Sequence, residues 1–219
     1  MKIGILLPAY NEEKNIGPII NGIKKVLKKF KYKIIVVDDG SIDKTSSVAK
    51  KLGTFVIRYE KNRGVGYATS IGLKKVMEMK PDIIIIIDAD KQHDPKYIPQ
   101  FINEIKKGSE YVYGKRNLSN YSIDRKIGNW SLTILTNLVC PTKIRDIECG
   151  FRAFTYKVAR KLNLKANGYE REVDFIYEVW KNKFKVSYVE IKVPKFYPKP
   201  AILRGLKNFK YLLKRRFRI

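Results

Sequence analysis

The chain is poor in the residues that build disulfide frameworks and zinc sites. Its 219 residues include two cysteines, Cys140 and Cys149, without a C-x-x-C pattern, and one histidine, His93. Two isolated thiols are too few for a disulfide-stabilised secreted fold, and structural zinc sites are built from four cysteine or histidine ligands. We therefore expect buried structural thiols and no zinc site.

Long apolar runs are also missing. A membrane-spanning helix needs about 20 predominantly apolar residues in a row, and no stretch approaches that length. The apolar N-terminal segment ends at Pro8, too early for a secretory signal, so it is better interpreted as a first strand. With 44% hydrophobic residues the chain can still form a packed core. We expect a cytoplasmic protein.

Acidic residues are scarce relative to basic ones. The chain has 46 lysines and arginines against 21 aspartates and glutamates, a formal net charge of +25, and after Glu190 it has ten basic residues and no acid. Such a field favours polyanionic partners, namely phosphorylated substrates, anionic membranes or nucleic acid. No helix-turn-helix, zinc-finger or RNA-binding motif accompanies the charge, so a nucleic-acid-binding protein is the minor alternative.

Apolar periodicity predicts strands that alternate with helices through the first half of the chain. Predicted strands cover residues 2–8, 33–37, 54–58, 82–87 and 110–113, and predicted helices cover 16–30, 46–52, 64–79 and 95–107. The second half is less regular, with predicted helices at 125–139, 156–162 and 172–181, a mixture of strand and loop at 145–154, and a strand at 185–193. The alternation indicates an α/β domain with a mostly parallel sheet and helices on both faces.

The most informative segment runs from Pro81 to Pro95. Five consecutive isoleucines, Ile83 to Ile87, end in Asp88-Ala89-Asp90. The isoleucines are typical of a strand buried on both faces, and open α/β sheets bind ligands at the carboxyl ends of their strands. Mg²⁺ and Mn²⁺ prefer carboxylate oxygens, often shared with substrate phosphates. The pattern predicts a metal and a diphosphate here; the alternative is that both aspartates only cap the next helix.

Two further loops with acidic residues follow predicted strands. They are Pro8-Ala9-Tyr10-Asn11-Glu12 and Val37-Asp38-Asp39-Gly40-Ser41. In a parallel sheet these loops and the D-x-D loop emerge at the same edge, so residues far apart in sequence can form one ligand site. Asp38 is better interpreted as a turn carboxylate than as a ligand contact.

Six motifs now occur in order: PAYNEEKN, VVDDGSIDKT, NRGVGYA, DADKQHDP, GKR and DIECGFRAF. Together they resemble glycosyltransferase family 2, closest to the dolichyl- and polyprenyl-phosphate mannosyltransferases and glucosyltransferases. The resemblance implies a Rossmann-like GT-A domain over residues 1–200, followed by a basic amphipathic tail over 201–219. It implies an inverting, metal-dependent transfer of a hexose, mannose or glucose, from a nucleotide sugar to a polyprenyl or dolichyl phosphate. GDP-mannose is the favoured donor.

The resemblance also implies residue roles on the donor side. Asp90, Asp88 and Arg116 are expected to act in catalysis, and Asp88, Asp90 and Gln92 to hold Mg²⁺ or Mn²⁺. The expected nucleotide-sugar contacts are Pro8, Tyr10, Glu12, Val37, Asp39, Asp88, Ala89, Asp90, Gln92 and Arg116. His93 is interpreted as a structural residue of its loop, not as a base.

The expected acceptor-side residues are Arg125, Asp146, Arg152, Glu170, Lys199 and Arg204. A lipid phosphate is already ionised near pH 7, so such an acceptor needs no strong general base. The alternative acceptor, a glycan or glycolipid hydroxyl, needs a carboxylate base. Glu170 and Glu172 are the candidates, with surface helix positions as their other interpretation. The G-x-S-K segment common in phosphate-acceptor relatives is absent, and only basic residues such as Lys199 and Arg204 remain in its place.

The C-terminal tail predicts a basic amphipathic helix from Leu203 onward. Its apolar positions recur at spacings of three and four: Leu203, Leu206, Phe209, Leu213 and Phe217. Such a helix can lie in an interface with anionic lipid, which would make the protein peripheral at the cytoplasmic membrane face. The alternative is that its apolar stripe packs on the domain.

Overall fold

The structure, a computed structural model, describes residues 1–90, 92–119, 121–194 and 202–217; the side chains of residues 124, 125 and 202–204 are not part of that description. The described residues form seven strands: β1 (Lys2–Ala9), β2 (Lys31–Asp38), β3 (Phe55–Arg58), β4 (Ile83–Ile86), β5 (Tyr111–Asn117), β6 (Arg152–Thr155) and β7 (Val186–Lys192). The helices are α1 (Glu13–Val26), α2 (Thr45–Lys51), α3 (Val65–Met77), α4 (Ile98–Lys106), α5 (Ile123–Val139), α6 (Tyr156–Ala159), α7 (Arg171–Asn182) and α8 (Ile202–Phe217).

The strands form one sheet in the order β3-β2-β1-β4-β6-β5-β7. The four strands of the first half pair in parallel, as the alternation of strands and helices predicts. β7 is parallel to β5, whereas β6 is antiparallel to both β4 and β5. The sheet is therefore mostly parallel. Of the segment 145–154, predicted as a mixture of strand and loop, only the last residues form a strand, the four-residue β6 between β4 and β5.

The isoleucine run shows how the core is divided between the two faces. Ile83, Ile85 and Ile87 pack into the layer that contains α1 and α4. Ile84 and Ile86 pack into the opposite layer, which contains α3 and α7. All five side chains are buried, because successive residues of a strand point to opposite faces and both faces carry helices. The predicted α/β architecture is confirmed.

The predicted C-terminal helix is present as α8, and it packs on α5 and α7. Leu212 is fully buried, and Arg215 bonds Asp174 at 2.8 Å and Glu178 at 3.0 Å. Leu206 and Phe217, two members of the predicted stripe, are instead exposed. The docked face is thus shifted around the helix from the predicted stripe, because buried carboxylates on α7 draw Arg215 inward.

No helix among residues 1–90, 92–119, 121–194 and 202–217 is long and apolar enough to cross a lipid bilayer.

Candidate active site

The three strand-end loops meet, as the sequence predicts. The first two are interlocked: the backbone N–H of Asn11 donates to Ser41 Oγ at 2.9 Å, and that of Glu12 donates to Thr45 Oγ1 at 2.8 Å. Burial raises the pKa of Glu12, and the nearby carboxylates Asp43 and Asp88 raise it further. Because β1 pairs in parallel with β4 as well as with β2, the loop after β1 also emerges beside the D-x-D loop, and all three loops lie at one edge of the sheet.

The two aspartates of the D-x-D loop have different partners. Asp88 Oδ1 accepts a hydrogen bond from Arg171 Nη2 at 2.8 Å. Burial opposes ionisation of Asp88, but the surrounding positive charges, of which Arg171 is the strongest, together lower the pKa of this carboxyl. Asp90 accepts two bonds from Gln92, from the backbone N–H and from Nε2, each at 3.0 Å. Burial, followed by repulsion from Asp88, raises the pKa of Asp90 to about 7.

The capping alternative for these aspartates is wrong. The short 3₁₀ helix Pro95–Tyr97 that follows is capped by Asp94, whose side chain accepts from the Lys96 N–H at 2.9 Å. Within the described residues Asp88 and Asp90 make no such contact, so they are two further carboxylates at the carboxyl end of β4. Arg171 balances the charge of Asp88, whereas Asp90 bonds the neutral Gln92.

These carboxylates suit a divalent cation that is shared with a phosphate ligand. Within the described part of the chain, no group of three or more His, Cys, Asp or Glu side chains is arranged as a complete metal site. Mg²⁺ usually binds one or two protein carboxylates and takes its remaining ligands from substrate phosphates and water. Asp88 and Asp90 with the amide oxygen of Gln92 fit that pattern, and a cation would relieve the repulsion that raises the pKa of Asp90.

The predicted nucleotide contacts fall into exposed and buried groups. Tyr10 is 45% exposed, so its ring is available to a ligand. Pro8 and Val37 are buried, and the Val37 side chain belongs to the core under α3. Val37 can therefore face a nucleotide only through its backbone, because its side chain points away from the loops.

Asp38 and Asp39 are both buried and both hold loop backbone. Asp38 accepts from the Ser41 N–H at 2.9 Å and from the Ser46 hydroxyl, which is the turn role predicted for it. Asp39 accepts from the N–H groups of Arg63 and Gly64 at 2.9 and 2.7 Å. A base contact to Asp39 would have to use the lone pairs that remain on these oxygens.

Arg116 and Asp146, predicted on the donor and acceptor sides, are partners. Nε and Nη2 of Arg116 bond the two oxygens of Asp146 at 2.8 and 2.9 Å, and the Arg116 backbone N–H adds a third bond at 3.0 Å. Despite burial, Asp146 raises the pKa of Arg116. A phosphate that approaches Arg116 therefore meets a guanidinium whose charge is already balanced and whose orientation is fixed.

A buried ionic network joins Asp88 to the middle of the sheet. Glu172 bonds Arg171 Nε at 2.7 Å with one oxygen and Arg152 Nη2 with the other. Arg171 also donates to Thr69 Oγ1 at 2.9 Å. The surface interpretation of Glu172 is wrong, because two arginines hold its carboxylate inside the protein.

Glu170 is also buried, and it bonds Lys207 of α8 at 2.8 Å. Burial opposes ionisation of Glu170, but the contact with Lys207 lowers the pKa of this carboxyl. The surface interpretation fails here too, and the contact ties the C-terminal helix to the acceptor side of the site.

Arg171 was not among the predicted site residues, although it is the direct partner of Asp88. The local signal is weak: an arginine between two glutamates at the start of a helix resembles an ordinary surface charge pattern. A second observation is that any Cβ on Gly150 would overlap the Asp88 carboxylate. Gly150, in the C-G-F motif, therefore permits the close approach of β6 to the D-x-D loop.

His93 and both thiols are buried, which agrees with the structural roles predicted for them. Burial lowers the pKa of His93 to about 4, so the ring is neutral at pH 7, and it lies 3.7 Å from Cys149 Sγ. Burial raises the pKa of Cys149 to about 12 and that of Cys140 to about 11. Three predicted acceptor-side contacts, Lys199 and the side chains of Arg125 and Arg204, lie outside the described residues.

Comparison with known proteins shows the family to which the chain belongs. The model of the family described as glycosyl transferase family 2 matches residues 4–162. A UDP-N-acetylglucosamine–dolichyl-phosphate N-acetylglucosaminyltransferase from Methanococcus voltae is 34% identical over 93% of this chain and 89% of that relative. A dolichol-phosphate mannosyltransferase from Pyrococcus furiosus is 33% identical over 78% of this chain and 51% of that relative.

Solved structures agree on the fold. Glucosyl-3-phosphoglycerate synthase from Mycobacterium tuberculosis, in complex with Mn²⁺, UDP-glucose and phosphoglyceric acid, superposes with a TM-score of 0.79. The match covers 99% of this chain and 80% of the synthase at 21% identity. At that identity the likeness speaks for the architecture.

Proposed function

The chain belongs to glycosyl transferase family 2, and we propose that it moves a hexose from a nucleotide sugar to a polyprenyl or dolichyl phosphate. The transfer inverts the anomeric carbon and depends on Mg²⁺ or Mn²⁺ at Asp88-Ala89-Asp90. GDP-mannose is the favoured donor. The observation that carries the proposal is the pair of unlike aspartates at the carboxyl end of β4, one neutralised by Arg171 and one left to repel its neighbours.

The donor side has groups for each part of a nucleotide sugar. The exposed ring of Tyr10 offers an apolar face for a base or ribose. A bound Mg²⁺ or Mn²⁺ would stabilise the charge that develops on the departing nucleoside diphosphate. Asp90 and Asp88 would hold this ion, and Gln92 orients Asp90 through its two hydrogen bonds.

The acceptor side supports a phosphate nucleophile over a hydroxyl. The carboxylates Asp146, Glu170 and Glu172 are each bonded to a basic side chain. Such pairing favours the ionised carboxylate and weakens it as a base, which makes Glu170 and Glu172 poor candidates for removing a proton from a hydroxyl. A phosphate brings its own negative oxygen to the anomeric carbon and needs only positioning.

The outer face of α5 supports access to a lipid acceptor. Ile123, Ile127, Trp130, Ile134 and Leu138 recur every three or four residues and are 39% to 74% exposed. We call these five residues the α5 stripe. Exposed apolar patches of this kind mark interaction surfaces, and the net charge of +25 favours anionic lipid. We therefore place the protein peripherally at a membrane, with the α5 stripe as a contact beside α8.

The test is a transfer assay with a panel of donors. The protein is incubated with Mn²⁺ or Mg²⁺, a polyprenyl phosphate and GDP-mannose, UDP-glucose or UDP-N-acetylglucosamine, and glycolipid is detected by mass spectrometry. Asp90→Asn should abolish product. Asp94→Asn is the matched control, because it removes one charge from the same loop while asparagine still caps the 3₁₀ helix.

The outcomes separate donor from acceptor. Glycolipid from one donor that is lost in Asp90→Asn supports the proposal and identifies the sugar. Metal-dependent donor hydrolysis without glycolipid contradicts the lipid-phosphate acceptor and leaves a transferase with a different acceptor. No turnover of any donor contradicts the enzyme assignment.

A further inference from the structure

A basic groove of about 740 Å³ lies beside β5 and β7, apart from the D-x-D loop. Four cationic side chains line it: Lys143, Arg145, Lys181 and Lys183. All four are exposed and none of the lining residues is acidic. The neighbouring acids have partners of their own, since Asp146 bonds Arg116 and Glu190 bonds Lys115. The cations therefore face the groove without an acidic counter-charge from its walls.

The backbone singles out two of these lysines. Lys143 and Lys183 have φ angles of 59° and 53°, in the left-handed region that favours glycine. Lys183 occupies the residue after α7, where glycine is the usual helix-ending residue. A strained backbone conformation is often retained where the side chain has a function. Here the strained positions place two ammonium groups at one groove.

Aromatic rings line the groove as well. Arg145 lies over the ring of Tyr188, with its guanidinium 5.3 Å from the ring centroid. Trp180 forms another wall and carries Arg216 on its outer face at 4.2 Å. Tryptophan and tyrosine beside lysine and arginine are typical of surfaces at the level of lipid head groups, because such rings are apolar with one polar atom.

The groove lies near the C-terminal end of the α5 stripe. Pro141, two residues beyond the end of α5, lines the groove three residues after the exposed Leu138. Towards its other end, α5 places Asn129 Oδ1 3.5 Å from Arg116 Nη2 in the candidate active site. Asn129 and the last residue of α5, Val139, are ten residues apart, so about 15 Å of helix separates the candidate active site from the end of α5 near the groove.

We infer that the groove binds the phosphate-bearing head group of an anionic phospholipid, whose acyl chains lie along the α5 stripe. Lysine ammonium groups and the arginine fork supply the charge-assisted contacts to phosphate oxygens. The inference deepens the proposed function, since it gives the membrane that presents a lipid acceptor a second, non-reacting contact on the protein. The occupant is a lipid and not a soluble ester, because the cations adjoin an exposed apolar stripe.

The test compares lysines with the same backbone and different locations. Lys143→Gly and Lys183→Gly remove a cation while relieving the left-handed backbone, so neither change is expected to lower the melting temperature. Lys80→Gly is the matched control: Lys80 is exposed, has φ 46° and does not line the groove. Binding is measured by flotation with phosphatidylcholine vesicles, with and without phosphatidylglycerol.

We expect each groove variant to weaken partition onto the anionic vesicles by about fivefold, and the double variant by about 25-fold. Lys80→Gly should change it far less. An equal loss in all three single variants would assign the effect to net charge and overturn the site. If soluble glycerol phosphate binds the protein and anionic vesicles do not displace it, the groove would be assigned to a soluble phosphate ester and the lipid assignment would be overturned. A dimer that competes with vesicle binding would assign the stripe to a second copy of the chain.

The inference and the proposed function fail separately. Asp90→Asn should retain vesicle binding while it loses transfer. Lys143→Gly/Lys183→Gly should retain turnover of a short, water-soluble acceptor phosphate without vesicles. Loss of that turnover would place the lysines in the transfer site and contradict the groove assignment.

Discussion

The donor and acceptor sides of the candidate active site balance charge in different ways. On the donor side, Asp90 lies near Asp88 and Glu12, and the only arginine bonded to the D-x-D pair within the described residues, Arg171, reaches Asp88. Of the predicted acceptor-side residues, Asp146 pairs with Arg116, which is predicted on the donor side, and Arg152 pairs with Glu172. Folding alone thus pairs the predicted acceptor-side charges, whereas Asp90 keeps carboxylate neighbours at the place where a cation is predicted to bind.

Breaking the junction between the two sides should have the largest effect. Arg171→Met would leave Asp88 and Glu172 without the guanidinium that bonds both. Because uncompensated buried charge is costly, we expect a loss of about 3–5 kcal/mol in the free energy of unfolding, measured in urea. Arg160→Met, at an exposed arginine after α6, is the control and should change it by less than about 0.5 kcal/mol. Equal effects would mean that the network contributes no stability.

The pH dependence of stability should expose the charge left on the donor side. The pKa of Asp90 is raised to about 7 from 3.8 by burial and Asp88. The folded protein then holds this proton more tightly than the unfolded chain, so the contribution of Asp90 to metal-free stability falls as pH rises from about 4 to 7. His93, whose pKa burial lowers to about 4, contributes in the opposite direction over the lower part of this range. A difference of that size is worth at most about 4 kcal/mol. Urea unfolding in EDTA across this range should therefore show that Asp90→Asn gains stability relative to the unsubstituted protein as pH rises, because the variant lacks only the contribution of Asp90.

Asp94→Asn provides a control of opposite sign for that measurement. Burial opposes ionisation of Asp94, but the contact with Lys96 lowers the pKa of this carboxyl. The stability that ionised Asp94 contributes is therefore present above the pKa it has in the unfolded chain, and is lost only in acid. The slope between pH 4 and 7 should therefore persist in Asp94→Asn. If the dependence of the unfolding free energy on pH were the same in Asp90→Asn as in the unsubstituted protein, the raised pKa could not belong to Asp90.

Two neighbouring ion pairs on β5 should sharpen the contrast between buried and exposed charge. Arg116–Asp146 is buried, whereas Glu190 of the Lys115–Glu190 pair is 64% exposed. We expect Asp146→Asn to reduce the free energy of unfolding by about 2–3 kcal/mol, because it removes charge-assisted bonds to a buried guanidinium. Glu190→Gln should cost less than about 1 kcal/mol. Similar losses in the two variants would show that burial does not distinguish the pairs.

The smallest effect should come from the link between the acceptor side and α8. Lys207 is 74% exposed although it bonds the buried Glu170. Lys207→Met should therefore change the free energy of unfolding by about 0.5 kcal/mol or less. Lys210→Met, at an exposed position of the same helix, is the matched control. A loss above about 1 kcal/mol for Lys207→Met alone would mean that this contact anchors α8.

Much of the fold follows from local patterns. The five isoleucines of β4 predict a strand buried on both faces, and the structure distributes them over two helical layers. The helical spacing of Ile16, Ile20 and Ile23 predicts the buried face of α1. These elements were predictable because strand and helix periodicity is a property of neighbouring residues.

The antiparallel β6 and the docked face of α8 were not predictable in the same way. β6 has only four residues, and its position between β4 and β5 depends on strands elsewhere in the chain. The sequence of α8 predicts an amphipathic helix, and such a helix is present. It does not predict that Arg215 turns inward, which happens because Asp174 and Glu178 on α7 are buried. A helix alone cannot reveal which of its basic residues has a buried partner.

The order and spacing of the acidic loops, the buried isoleucine strand and the basic C-terminal helix can all be read from the amino-acid sequence. They are enough to predict a metal and a diphosphate at the carboxyl edge of a parallel sheet. The pairing of the charges, in contrast, depends on how the chain folds: Arg171 reaches Asp88 across 83 residues, and Glu172 turns inward to two arginines. The physical reason is that periodicity acts between neighbours along the chain, whereas the balance of buried charge is settled only when distant segments meet.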